Sequence, residues 1–510
     1  METLLPRLQR SRARQRSRAE QSARAATPRG QQPFTVVAPL LRAGLLLGAA
    51  GGFVLASVLS LSLALRQPLG AWWLAVAQAH GHLQVYGWAG LFVTGVAFHF
   101  LPRLRGAPLA WSRTVPWLVA ALVAALVLRG VSQPLLVVAA GGSAGAWAAL
   151  WRVLLVVSGV LEAAGFASVL VVLGETALRR GAPAFRARPA LWSVWPFLLC
   201  AVGSLGLAAL LNLLNVFGAA GTGGGIVPPS GDAANVLLGL FGFLVPMALA
   251  MSARALPMYA GLDAFPRRVL WPAALAYAAG LLLVLLGELG TGGNLASSVL
   301  LGRLGGLGLA LMGGVLVAFI ALFGRLMAGR GRLPQRVRSL APSPEQAARG
   351  YVRHVTNERA TFGPYVALIG SAYGWALLAG LLLLLDGIAL ALGAGTPVTL
   401  DAPRHSLAVG FIALLLAGVS ARMIPGFSGG HIASPRWVVA LLWLGNAAAL
   451  LRVGSLLAQP ALAALGAGGS ALDSALFGLS GPLGLAFAIC LAINVWPALA
   501  PRADSRSRAR

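Results

Sequence analysis

Long apolar runs separated by short polar segments fill the chain from residue 34 to residue 498. The runs lie near 36–65, 79–101, 114–134, 148–173, 190–217, 233–258, 269–289, 297–324, 361–386, 404–425, 436–457 and 474–498. A run of about 20 apolar residues, rising 1.5 Å per residue, spans the hydrocarbon core of a bilayer as a helix. The pattern predicts an all-α integral membrane protein of about twelve transmembrane helices.

The polar segments differ from one side to the other. Every second connection is rich in arginine: Arg103, Arg105 and Arg113; Arg179, Arg180, Arg186 and Arg188; Arg267 and Arg268; Arg330, Arg332, Arg336, Arg338, Arg349, Arg353 and Arg359; and Arg436. The connections between them are glycine-rich or neutral, or carry a lone acid such as Asp232 or Asp401. Cationic loops stay on the cytoplasmic face, so both termini are expected there, in a bacterial inner membrane. Residues 1–33 carry Arg7, Arg10, Arg12, Arg14, Arg16, Arg18, Arg24 and Arg29 and read as a disordered basic cytoplasmic arm. The arm is too long and too arginine-rich to open a secretory signal peptide. The 325–360 segment, with Pro334, Pro342 and Pro344, reads as a cytoplasmic linker. It divides eight helices (34–324) from four (361–498), and 499–510 form a basic cytoplasmic tail.

Composition agrees with this picture. Hydrophobic residues make up 58% of the 510, charged residues only 10%, and mean hydropathy is +0.81, which excludes a soluble globular protein. The net charge of +26 invites a nucleic-acid reading. The basic residues are all arginine, however, and sit on alternate loops rather than on a surface interleaved with aromatics. Lipid is the expected partner, and nucleic acid is not. Cys200 and Cys490 lie in apolar runs and offer neither a disulfide framework nor a CxxC motif.

Spans 2, 6 and 10 end alike, with His99 three residues before Pro102, Arg254 three before Pro257 and Arg422 three before Pro425. Aligning the prolines also aligns Gly87, Gly242 and Gly410, then Gly95, Ala250 and Gly418, then His82, Leu237 and His405. A period of four helices predicts three pseudo-symmetric four-helix units. The small residues predict close helix packing.

His80, His82 and His405 fall at the ends of spans 2 and 10 opposite the prolines. Imidazoles from two facing helices grip a haem iron from both sides. His80 and His82 are two residues apart and face different ways, so one of them serves as ligand, and the repeat register favours His82 paired with His405. Interfacial histidines bonded to headgroups are the alternative, as is copper held by His80 and His82. Arg404, beside His405, is a candidate partner for haem propionates, as are Arg66, Arg129, Arg152 and Arg303, although each alone reads as a snorkelling arginine. His99, Arg254 and Arg422 form a second candidate set, for an anion or a metal-associated site, or as anchors. Glu162 stands mid-span as a proton carrier or a structural partner. Asn212 and Asn215 are candidate interhelical hydrogen bonders, and His354 and His431 fall in loops.

His80-Gly81-His82 followed by Gly87 and Gly95, the His405, Gly410, Gly418, Arg422 series, and Arg254-Ala255-Leu256-Pro257 resemble the NnrS family of polytopic bacterial membrane proteins. Leu83 and the Gly426–His431 turn depart from that pattern. The resemblance implies a haem- and copper-containing protein linked to nitric-oxide stress, with a redox partner protein. The arrangement also resembles subunit I of the haem-copper oxidases, with a low-spin bis-histidine haem on spans 2 and 10. Spans 6 and 7 contain no histidine, so no binuclear oxygen-reducing centre is expected. A secondary transporter and a respiratory-complex assembly factor are the rival classes.

Overall fold

The computed structural model describes residues 34–500 except 142–144, 183, 185–188, 261–264, 293–298, 329–342, 344, 347–355 and 465–470. The basic arm, most of the 325–360 linker and His354, and the tail after residue 500 lie outside this set. Among the described residues twelve helices are long and apolar enough to cross a membrane, and there is no strand. They are α1 (Phe34–Ala64), α2 (Ala71–Arg105), α3 (Ser112–Ala140), α4 (Gly145–Ala177), α5 (Trp195–Gly221), α6 (Pro229–Pro257), α7 (Arg267–Gly290), α8 (Val299–Leu326), α9 (Tyr365–Ala391), α10 (Asp401–Ser428), α11 (Pro435–Pro460) and α12 (Ala471–Leu499). The chain is an all-α polytopic membrane protein.

One boundary moves in a way that matters. α2 begins at Ala71 rather than near 79, because Trp72, Trp73 and Gln78 extend the helix beyond the purely apolar run. His80 and His82 therefore lie inside α2, and His82 is buried.

α2, α6 and α10 form the interior. Buried residues make up 78%, 83% and 78% of their central windows, against 33–56% for the other nine helices. Each interior helix holds an eight-residue π-helical stretch, Leu83–Gly90, Leu237–Leu244 and Ser406–Ala413. Each also holds the internal proline of the repeat, Pro102, Pro257 or Pro425. The π stretch of α6 touches those of α2 and α10.

The remaining helices ring this core with threefold regularity. α1 packs on α2, α5 on α6 and α9 on α10, while α4 packs on α5, α8 on α9 and α12 on α1. The fourth helix of each unit thus seals against the first helix of the next, and the ring closes.

The aligned small residues explain the close approach. A Cβ on Gly242 would stand 2.5 Å from Ser204 on α5, one on Gly410 2.4 Å from Trp375 on α9, and one on Gly418 2.8 Å from Ile369 on α9. These glycines face the first helix of their own unit. Trp375 cannot yield easily, because its Nε1–H donates to Asn446 Oδ1 at 2.9 Å. Gly410→Leu should therefore lower the thermal midpoint of the purified protein, at a cost of about 1–3 kcal/mol from overpacking. Gly374→Ala, whose Cβ would meet nothing within 4 Å, should change it little. Equal midpoints for the two variants would contradict the packing argument.

Candidate functional site

The register that pairs Pro102 with Pro425 extends beyond the repeat helices. It pairs Gly106 with Gly429, which close α2 and α10 in left-handed conformations at φ +70° and +68°. It also pairs Gln78 with Asp401, His82 with His405, Arg129 with Arg452 and Ser132 with Ser455, with no gap. Units one and three therefore carry equivalent polar sets, and unit two has Leu237 in the histidine's place. The two sets occupy separate sectors of the histidine-bearing half.

In the first sector, between α2, α3, α4 and α6, His82 Nε2 lies 2.9 and 2.8 Å from the two carboxylate oxygens of Glu162. Both side chains are buried. The His82 ring packs against Tyr86 at 4.7 Å, and the Tyr86 hydroxyl donates to the Asn235 carbonyl at 2.9 Å. Gln78 donates to the Val227 carbonyl at 2.8 Å and accepts from Gln133 at 2.7 Å. Arg129 is only 3% exposed, and its Nε and Nη1 have no hydrogen-bond partner among the described residues. Its charge acts on Glu162 and Asp232 nearby.

In the second sector, between α10, α11, α12, α1 and α2, Asp401 takes the place of Gln78. His405 Nδ1 lies 3.0 Å from the Asp401 carbonyl and 3.1 Å from its Oδ1. Arg452 Nη2 donates to Asp401 Oδ2 at 3.0 Å, and its guanidinium carbon stands 4.3 Å over the Phe477 ring. His80 lies within electrostatic reach of this sector. Its Nδ1 lies 2.8 Å from the carbonyl of Gly52, at the end of a π-helical turn (Gly48–Gly52) in α1. Its electrostatic neighbours are His405, Arg452 and Asp401.

Both His80 and His405 tie Nδ1 to an oxygen and leave Nε2 without a hydrogen bond among the described residues. This is the tautomer and orientation of a metal-ligating imidazole, whose other nitrogen donates to a carbonyl or carboxylate. The register pointed to His82 as the partner of His405. The geometry turns His82 to Glu162, while His80 is tied to Gly52 on α1 and lies within electrostatic reach of His405. A two-residue step on a helix rotates the side chain by about 200°, which separates the two histidines between sectors.

The remaining candidates take varied positions. Arg404 acts electrostatically on Asp232, Glu288 and Asp401, between the sectors. His99 stacks on Phe427 at 4.2 Å, and Arg422 pairs with Glu358 at 2.5 Å. The buried Arg254 Nε has no partner among the described residues. No hydrogen bond joins His99, Arg254 and Arg422 among the described residues, and their chain neighbours Phe100 and Ala255, with Arg422 itself, line a cavity instead. Asn215 donates to Gly231 at 2.9 Å as an interhelical tie, and Asn212 is buried. His431 folds onto the Ile432 carbonyl. Cys200 and Cys490 are free and half-buried.

Sequence reasoning missed Arg452 altogether and read Asp401 as a lone loop acid. Extending the proline register into spans 3 and 11 would have found Arg452, and extending it upstream of His405 would have set Asp401 against Gln78. No protein-family profile matches the chain, and no curated protein matches it.

Proposed function

We propose that this membrane protein binds haem between His80 and His405 and serves in electron transfer, in the manner of the NnrS proteins that its motifs resemble. One observation carries the reading. Two histidines from interior helices lie within electrostatic reach of one another, each with Nδ1 anchored and with no hydrogen bond to Nε2 among the described residues. The donor set fits the group. Gly81, beside His80, leaves open space where a Cβ would meet nothing within 4 Å. Asp401 on His405 Nδ1 fixes the ring and strengthens the imidazole as a donor. Arg404 is the cationic partner for propionates. A haem held by two imidazoles supplies outer-sphere electron transfer.

The chain's own residues do the rest. Gly52 and Asp401 hold the tautomers, Arg452 balances Asp401, and the π-helical turns open the backbone for these contacts. α6 and α7 carry no histidine, so the residues for a second, oxygen-reducing metal centre are lacking. A nitric-oxide-related redox or protective role, with a partner protein as donor, follows from the NnrS resemblance. Purified protein reconstituted with haem b should bind one haem per chain with a Soret band. Failure to bind would overturn the reading.

A secondary transporter is the second reading, and the buried His82, Glu162 and Arg129 set favours it. Ionisable groups at this depth commonly mark ion or proton sites. A colourless protein that carries a proton-coupled solute flux, lost in Glu162→Gln, would select it.

Under both readings the arginine-rich loops lie in the cytoplasm of a bacterial inner membrane, so the haem site lies toward the outer face. Reporter domains fused after residue 510 should be active only as cytoplasmic reporters. Periplasmic activity there would invert the map.

A further inference from the structure

A cavity of about 410 Å³ lies in the proline-bearing half, between α2, α4, α5, α6, α9 and α10. Its volume falls within the range of ligand sites. Its lining reaches the lipid-facing surface between α4 and α5, where Leu178 and Leu199 are both lining and exposed, at 72% and 52%. Gly174, also lining, widens this opening, because a Cβ there would meet nothing within 4 Å.

The polar side chains at the wall are Ser252, Tyr365 and Arg422. Tyr365 donates to Glu358 at 2.5 Å, Arg422 donates to Glu358 at 2.9 Å, and Ser252 is a small, buried hydroxyl. The wall therefore suits hydrocarbon and offers little to a polar ring. The rim is cationic. Arg105 Nε donates to the carbonyl of the lining residue Ala177 at 2.6 Å. The exposed Arg179 and Arg180 directly follow Leu178. Glu175 is the acid on the same stretch of α4.

We infer that the cavity takes an acyl chain of an anionic phospholipid, entering between α4 and α5, with its phosphate on the arginines of the rim. An apolar slot beside a basic cluster, at the arginine-rich face of a membrane protein, is the pattern that recognises such headgroups. A neutral isoprenoid would gain nothing from Arg179 and Arg180, and a zwitterionic lipid, whose own cation offsets its phosphate, would gain less than an anionic one.

Native mass spectrometry of the full chain, released from nanodiscs of equal phosphatidylglycerol and phosphatidylcholine with matched chains, tests this. One phosphatidylglycerol per chain should survive delipidation. Its retention should fall about tenfold in Gly174→Phe, which fills the opening, and in Arg179→Gln/Arg180→Gln, which alters only exposed residues. Phosphatidylcholine retained as strongly, or a neutral lipid found instead, would overturn the proposal. So would undiminished retention in the arginine variant, a result that stands even if Gly174→Phe fails to fold.

Discussion

His405→Ala and His80→Ala should each abolish the six-coordinate low-spin spectrum of the haem-loaded protein, while His82→Ala should leave it unchanged. The first two substitutions remove an imidazole whose Nδ1 is anchored and whose Nε2 is available, and each leaves one axial ligand at most. His82 has its Nε2 engaged by both oxygens of Glu162, so its loss takes nothing from the sector of His80 and His405. Asp401→Asn separates positioning from ligation. It retains an oxygen near His405 Nδ1 but removes the charge shared with Arg452, and such partners of a ligating imidazole are typically worth 10–100-fold in affinity. Haem dissociation from Asp401→Asn should accelerate by about that factor with the low-spin spectrum retained. If His82→Ala and not His80→Ala lost the spectrum, the sector assignment would be inverted.

Glu162→Leu should be the most destabilising substitution in the first sector. It leaves His82 without its acceptor and Arg129 with only Asp232 as a carboxylate neighbour, and breaking a buried charged network by removing one member costs about 3–5 kcal/mol. That exceeds the ~0.6 kcal/mol of an average interhelical hydrogen bond in a membrane, so the charge term decides the outcome. Glu162→Gln keeps an acceptor for His82 and should lose less. A second change, Arg129→Leu, should recover part of the loss because it removes the stranded charge. Thermal unfolding of the purified variants checks all three. An unchanged midpoint for Glu162→Leu would mean that water, rather than His82 and Arg129, satisfies this carboxylate.

Much of this architecture was legible in the residues. Twelve apolar runs require twelve spanning helices, since an unpaired backbone cannot cross hydrocarbon. The aligned prolines and glycines mark α2, α6 and α10 because interior helices need small residues where backbones approach, and the structure makes those three helices the most buried. The different surroundings of His80 and His82 were not legible. Register gives depth along a helix, but the sector a side chain enters depends on rotation, and a π-helical stretch directly after His82 alters the angle per residue. Arg452 escaped notice because a lone arginine in an apolar run reads as a snorkelling anchor. Only its match to Arg129 and its pairing with Asp401 give it a role.

The central claim is that one haem sits between His80 and His405. The most direct measurement is electron paramagnetic resonance of the haem-loaded wild-type protein, natural and with ¹⁵N-labelled histidine. A low-spin ferric signal with hyperfine coupling to two histidine nitrogens is expected, with the low-spin signal and one of the couplings lost in His405→Ala. A high-spin signal from the wild-type protein, or coupling to a single histidine there, would contradict the claim.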